Sequence, residues 1–416
     1  MATERGSNRF VLLAVAASLG IPSLGLVQAH MGYAGAAAYL LGVYVALAVG
    51  KSLAAPARSW LSERRAFFLL AGTFCALIAV FAVVHPIVDE TKGDGNEALN
   101  YAASELLHGR YPYGVKTKLG NVIAPLPGSV LLALPFVVLG DSAYQNFLWL
   151  AIFCWFCRRL FGSWRSALVI FWAVVALSPT VVQSVILGGD RVANTLFVLL
   201  LAVFLVGSVE DGGSSRMRTI LAAALLGIAL SSRANFLFLL PLMVPLLLSR
   251  AGVARTIQSL ALVAVAFAVV TAPFYFYDPN GFTPTHQLSK LKPAFPLAGE
   301  LVLVLAGLLA VGLAVWSARH ARPGYRDFFA GSAVVQAFLF ISAVGLFALK
   351  VRDLDATFVF IKEGYGVHFL FFGVLAGFAA HDWAWPPGRA RGRAAGTPLQ
   401  GASTAGDAAR DEKAAG

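Results

Sequence analysis

Apolar runs of about twenty residues succeed one another along the chain, separated by short segments where Gly, Pro and charged residues collect. About 20 apolar residues in helical conformation are needed to cross a bilayer's hydrocarbon layer. Twelve runs read as crossings, near 10–28, 33–50, 66–86, 143–158, 166–184, 192–208, 219–232, 234–249, 259–277, 297–317, 328–349 and 364–381. The stretch 219–249 is too long for one crossing and is divided at Ser231-Ser232-Arg233. Residues 124–140 are short and carry Pro125, Pro127, Gly128 and Pro135. They predict an interfacial or partly re-entrant helix, which a membrane protein allows where protein shields irregular backbone. Arg5 and Arg9 precede the first run as they would a signal peptide, but a second run follows at once, which predicts a retained signal anchor. The expected fold class is an all-α polytopic membrane protein with about 12 transmembrane helices and a helical outer loop after the third span.

Composition supports this pattern. Of 416 residues, 58% are hydrophobic and 13% charged, and the mean hydropathy is +0.75. A soluble core cannot hold that apolar excess, which excludes a water-soluble enzyme and a disordered chain alike. Cys75, Cys154 and Cys157 all lie inside apolar runs, so a disulfide scaffold is excluded too. The net charge of +11 comes without a basic cluster interleaved with aromatics, so no nucleic-acid partner is expected. Lys and Arg read instead as orientation signals. With the N-terminus in the cytoplasm, 21 of the 32 fall in inside segments, and Arg158, Arg159 and Arg165 mark the clearest of them. Both termini are then cytoplasmic. The chain divides into two extra N-terminal spans and a basic loop (1–65), a central module (66–250), C-terminal spans (251–385) and a disordered cytoplasmic tail (386–416).

Candidate chemistry concentrates in the outer loop 87–142. Asp89, Glu90, Asp94 and Glu97 fall within nine residues. Behind them Ala98, Leu99, Ala102, Ala103, Leu106 and Leu107 form a short amphipathic helix, stopped by Gly109 and Pro112. Such a helix on the bilayer surface would hold a carboxylate at the membrane boundary. Asp94 and Glu97 also stand at the N-cap and N3 positions, where a capping box is an alternative role. A divalent cation held by the four carboxylates is a further, minor reading, because the spacing does not match a calcium loop.

Leu106-Leu107-His108-Gly109, Tyr111-Pro112-Tyr113 and Pro125-Leu126-Pro127-Gly128, placed behind carboxylates after an early span, resemble the GT-C superfamily of integral-membrane glycosyltransferases. In the lipid A aminoarabinose transferases of that superfamily the essential Asp lies fifteen residues before the Gly that closes this helix. Asp94 and Gly109 have that separation. Residues 178–197 are similar to the span and second outer loop of the same superfamily, where Asp190 matches an Asp on the donor side. The similarity covers roughly 66–240. Two positions depart from it: Ala98 stands where many relatives have an aromatic, with Tyr101 the candidate replacement, and Ala124 stands where the aminoarabinose transferases have Lys.

The resemblance implies a plasma-membrane enzyme that moves a sugar from a polyprenyl-phosphate donor to a glycolipid, polysaccharide or protein acceptor at the outer face. It implies Asp94 as general base, with Asp89 as the alternative because its setting is similar to that in the protein O-mannosyltransferases. Arg233, Lys116, Lys118 and Arg191 are candidate donor-phosphate ligands, since they are cations on the side that orientation alone would leave poor in charge. Glu90, Glu97, Tyr101, Asp190 and His286 are candidate substrate contacts. No cofactor is expected. A transporter or lipid flippase is the other class open to such a chain, but it would place charges in mid-span and show internal symmetry.

Overall fold

The structure, a computed structural model, describes residues 2–88, 94–210, 216–285, 296–319 and 323–380. The expected tail at 386–416 lies outside these residues. In chain order the helices are α1 (Ala2–Gly20), α2 (Leu24–Trp60), α3 (Glu63–Val88), α4 (Gly95–Leu107), α5 (Pro127–Val138), α6 (Tyr144–Phe161), α7 (Trp164–Leu177), α8 (Pro179–Ile186), α9 (Arg191–Glu210), α10 (Arg216–Leu230), α11 (Leu239–Tyr277), α12 (Ala298–Ala318), α13 (Tyr325–Val351), α14 (Leu354–Lys362) and α15 (Val367–Ala380). Among the described residues there is no β-strand, only an isolated bridge between Lys116 and Val122.

The chain is therefore a multi-pass helical membrane protein, and fewer than twelve stretches among its described residues are by themselves long and apolar enough to cross. Six stretches among the described residues are long and apolar enough to cross, and eight if α7 with α8 and α14 with α15 each count as one bent crossing. Two of the six, Arg9–Ser52 and Ala234–Tyr277, are 44 residues long. At helical rise each would measure roughly 66 Å, about twice the hydrocarbon thickness. Each is interrupted by a glycine in the left-handed region, Gly32 (φ 67°) and Gly252 (φ 77°), which breaks the helical path. The shorter helices explain the rest of the difference. α10 has 15 residues, and α6 carries Arg158 and Arg159 in its last turn. α5 has 12 residues, roughly 18 Å, too short to cross, and it lies where the interfacial or re-entrant helix is expected.

The outward faces fit a lipid solvent. Phe276, Val265, Leu308, Val304 and Val83 are each more than half exposed, on α11, α12 and α3. An apolar surface that extensive has no place in water. The centre is formed by α9, of which 83% of the apolar window is buried, and by α15, apolar around its circumference with Leu370, Phe371, Phe372 and Val374 fully buried.

The interruptions meet one another. Pro179 disfavours helical geometry at Ser178, and α8 leaves α7 at 85°. The short 3-10 turn Ile21–Ser23 lies against this bend. Ser23 Oγ is 3.1 Å from Ser178 Oγ, Thr180 Oγ1 donates to the Pro22 carbonyl (3.0 Å), and Tyr39 donates to the Leu177 carbonyl (2.7 Å). The division at Ser231-Ser232-Arg233 is present as a break between α10 and a 3-10 turn, Ala234–Phe238. Its carbonyls are taken by the first amides of α5: Gly128 N donates to Ser231 O (2.7 Å) and Leu126 N to Ser232 O (3.1 Å). The second exchange satisfies a helix C-terminus with a helix N-terminus, whereas the first uses side-chain hydroxyls.

Gly128 has no room for a side chain, since a Cβ would collide with the carbonyls of Ile228 and Ser231. Gly128→Ala is expected to lower the melting temperature of the detergent-purified protein by the equivalent of about 1–3 kcal/mol. Gly72→Ala, on an open face of α3, is expected to leave it nearly unchanged. An unchanged midpoint in Gly128→Ala would mean that α5 does not dock on the 231–232 break.

Candidate functional site

The segment between α3 and α6 folds into a small helical unit with its own core. The buried face of α4 (Ala98, Leu99, Ala102, Ala103) packs with Tyr113, Ile123, Val130, Ala133 and Phe282. The helix bounds agree with the sequence pattern, and Gly109 (φ 70°) turns the chain away. Its apolar face is covered by α5 and the loop, so its packing is provided by protein. Leu107 is 49% exposed and takes no part in the packing.

The two tyrosines after this turn are anchors. Tyr113 donates to the Pro125 carbonyl (3.1 Å) and Tyr111 to that of Phe274 (3.0 Å). Burial, then the nearby Asp278 charge and Tyr277, pushes the Tyr111 hydroxyl up to about 12. Burial pushes that of Tyr113 higher still. Both remain protonated donors at ordinary pH. Arg110 grips Glu105 through two N–H groups (2.6 and 2.7 Å), holding that carboxyl below its usual range.

Asp94 occupies the N-cap position of α4 but makes no side-chain cap bond. Its backbone, at φ −101° and ψ 6°, lies outside the extended region that aims a capping side chain at the first amides. Its Oδ2 instead accepts from Thr117 Oγ1 (3.0 Å) and Asn121 Nδ2 (2.6 Å). Glu97, at N3, accepts from the Lys118 backbone amide (3.1 Å), with Lys118 Nζ 4.0 Å away. The capping box is therefore absent, because the 117–121 turn has captured both carboxylates. That turn is closed by Thr117 N to Asn121 O (2.9 Å) and Gly120 N to Thr117 O (2.8 Å). Lys116 flanks it in the bridge to Val122. Tyr101 is half-buried on α4.

A second group gathers at the start of α9. Arg233 Nη2 lies 2.7 Å from both oxygens of buried Asp190, and Asn194 Nδ2 adds a third bond at 2.8 Å. Ser129 on α5 donates to Asn194 (3.2 Å). The Arg191 guanidinium stacks 4.5 Å above the Tyr365 ring and lies 3.8 Å from Glu363. Nε of Arg191, Nε of Arg233 and Oγ of Ser232 are buried without a partner. Among the described residues no hydrogen bond or ion pair joins this group to Asp94. Backbone joins them: the strand of chain that follows the 117–121 turn reaches Ser232 through Leu126. Asp89, Glu90 and His286 lie outside the described residues. No group of three or more His, Cys, Asp or Glu among the described residues is placed to hold a metal ion.

Sequence reasoning missed a third cluster, centred on Asp141. Its Oδ1 accepts from Asn100 Nδ2 (3.2 Å) and Ala143 N (2.8 Å), and its Oδ2 lies within reach of His85 Nε2 (3.1 Å) and Asn96 Nδ2 (3.3 Å). His85 Nδ1 meets the Ile186 carbonyl (2.8 Å); a carbonyl only accepts, so Nδ1 carries an N–H. Ser142 closes the cluster through Asn96 (2.7 Å) and Asn100 (2.8 Å). The legible signal was the i, i+4 pair Asn96 and Asn100 on the inward side of α4. The cluster fixes α4 to the end of α3 and the start of α6. Family models, curated proteins and solved structures yield no match to this chain.

Asp141→Ala would leave His85, Asn96 and Asn100 without their shared acceptor. Thermal unfolding should show a loss of about 1–3 kcal/mol or more. A stability equal to wild type would mean that α4 is held without Asp141.

Proposed function

We propose that the chain is a GT-C-type glycosyltransferase of the plasma membrane, with about twelve crossings, cytoplasmic termini and loop 87–142 on the outer face. It transfers a sugar from a polyprenyl-phosphate donor to a cell-envelope acceptor. The observation that carries this reading is the state of Asp94. Both of its hydrogen bonds fall on Oδ2, and Oδ1 has none among the described residues. The carboxylate is half-buried and held from the side, with one oxygen left to accept a proton.

In the proposed step the acceptor hydroxyl gives its proton to Asp94 Oδ1 as its oxygen bonds to the anomeric carbon. The bond from that carbon to the phosphate oxygen breaks on the opposite face, which inverts the centre and releases polyprenyl phosphate. The leaving group is an anion and needs no acid, provided cations stabilise its charge. Arg233 and Arg191 offer their unpartnered Nε–H groups, with Asp190 positioning Arg233. Lys116 and Lys118 lie at the turn that holds Asp94. One base and a cationic site suffice, unlike the paired carboxylates of glycoside hydrolysis.

Asp94→Asn keeps an oxygen for Thr117 and Asn121 but removes the base. Sugar transfer from a polyprenyl-phosphate donor should fall by roughly 10²–10⁴, with the melting temperature near wild type. If Asp94→Asn retains activity and Asp89→Asn loses it, the base is Asp89; if both retain it, the glycosyltransferase reading is wrong.

Sidedness has its own test. In a Cys75→Ala background, chosen because Cys75 is the exposed thiol among the three, Leu119→Cys and Met217→Cys place thiols at positions 68% and 70% exposed. An impermeant maleimide should label position 119 in intact cells and position 217 only after permeabilisation. The reverse pattern would put Asp94 on the cytoplasmic side.

A further inference from the structure

At the opposite end of α3 from Asp94, three helix ends line an open surface cavity of about 500 Å³, formed by Glu63, Arg64, Phe67, Arg158, Gly162 and Trp164. α3 has 26 residues, so this cavity lies roughly 39 Å along the helix from the carboxylates of the outer loop. It is a separate place on the molecule. Glu63 is already engaged, accepting the Trp164 backbone amide (2.7 Å) and facing Arg165 Nε (3.3 Å). The other charged lining groups are guanidiniums laid on aromatic rings: Arg158 4.9 Å above Trp164 and Arg64 5.7 Å above Phe68. Beside them Arg159 lies 5.2 Å above Trp155. Stacking holds a guanidinium flat while its N–H edge stays available to a phosphate or carboxylate fork.

The wall beneath these cations is apolar and open. Phe67, Phe68 and Leu69 are 41%, 58% and 39% exposed, and the outward face of α3 continues through Ile78, Val80 and Val83. A ligand that satisfies both parts has an anionic head at the arginines and hydrocarbon running along α3. We propose that this cavity binds an anionic phospholipid, its phosphate headgroup on Arg64 and Arg158 and its acyl chains on the exposed face of α3. A free phosphate would meet the cations and leave the aromatic and aliphatic wall unused. A zwitterionic lipid would bring its own ammonium to a cationic site.

The test is native mass spectrometry of the full detergent-purified chain titrated with phosphatidylglycerol, with phosphatidylcholine of the same chains, and with inorganic phosphate. Phosphatidylglycerol should bind at least tenfold tighter than phosphatidylcholine. Arg64→Ala with Arg158→Ala should weaken it by roughly 30-fold, the loss of two cation contacts at a lipid surface. Arg64→Gln alone changes an exposed side chain and should weaken it by about fivefold, which keeps the test usable if the double variant does not fold. Arg110→Ala, at the other end of the molecule, should leave it unchanged. Equal affinity for the two lipids, an undiminished affinity in Arg64→Gln, or displacement of phosphatidylglycerol by an equal concentration of inorganic phosphate would each overturn the proposal.

Discussion

Where a helix is interrupted inside an apolar bundle, it leaves amides and carbonyls beyond the reach of water, at a cost of several kcal/mol for each group left unpaired. Here the interruptions are arranged in pairs. The 21–23 turn lies on the bend at Ser178, with Thr180 and Tyr39 supplying hydroxyl donors to the freed Pro22 and Leu177 carbonyls. The end of α10 receives the first amides of α5. Elsewhere the gap is filled by side chains: Asn235 and Gln336 bond each other twice across the 3-10 turn after Arg233 and α13, at 2.6 and 2.9 Å. Irregular backbone is thereby possible at the depth where the polar groups are needed.

The α5 to α10 exchange also sets the geometry of the helical unit built on α4 and α5. It fixes the start of α5, and α5 carries the face on which α4 packs through Val130 and Ala133. The loop between the two helices must then close over the start of α4, where its turn meets Asp94 and Glu97. The same break presents Arg233 immediately after Ser232, facing Asp190. One backbone contact thus underlies both polar groups, although they share no side-chain bond. Asp141 supplies the second point of attachment, so α4 is held at its side by α5 and at its polar edge by α3 and α6.

How far the sequence discloses this differs from element to element. The apolar runs, the α4 helix with its stop at Gly109, and the interruption at Ser231-Ser232-Arg233 are legible because local composition determines them. The number of full crossings is not. Hydropathy does not distinguish one apolar stretch broken at Gly32 or Gly252 from two separate spans, and it passes through the 85° bend at Ser178 without a signal. The capping box failed for a different reason: Asp94 and Glu97 have the right spacing, but a turn more than twenty residues away competes for the same oxygens. Asp141 is a single carboxylate with no neighbouring pattern, and its partners come from residues 85, 96 and 100. Tertiary competition of that kind leaves no local trace beyond the i, i+4 pair Asn96 and Asn100.

Arg233 shows why an ion pair need not exhaust a charge. Asp190 is nearly fully buried, and its bonds to Arg233 and Asn194 occupy both oxygens. Arg191 stands on the next residue, and its other acidic neighbour, Glu363, is 57% exposed on its side chain and so largely screened. The buried part of the group therefore holds two guanidiniums against one carboxylate, together with Ser232 Oγ and two Nε atoms that have no partner. Adding a cation there would be opposed by that excess, whereas an anion would supply the missing acceptors and the missing charge at once. On the proposed reading that anion is the phosphate of the donor, and Asp190 serves to hold Arg233 oriented and only partly neutralised.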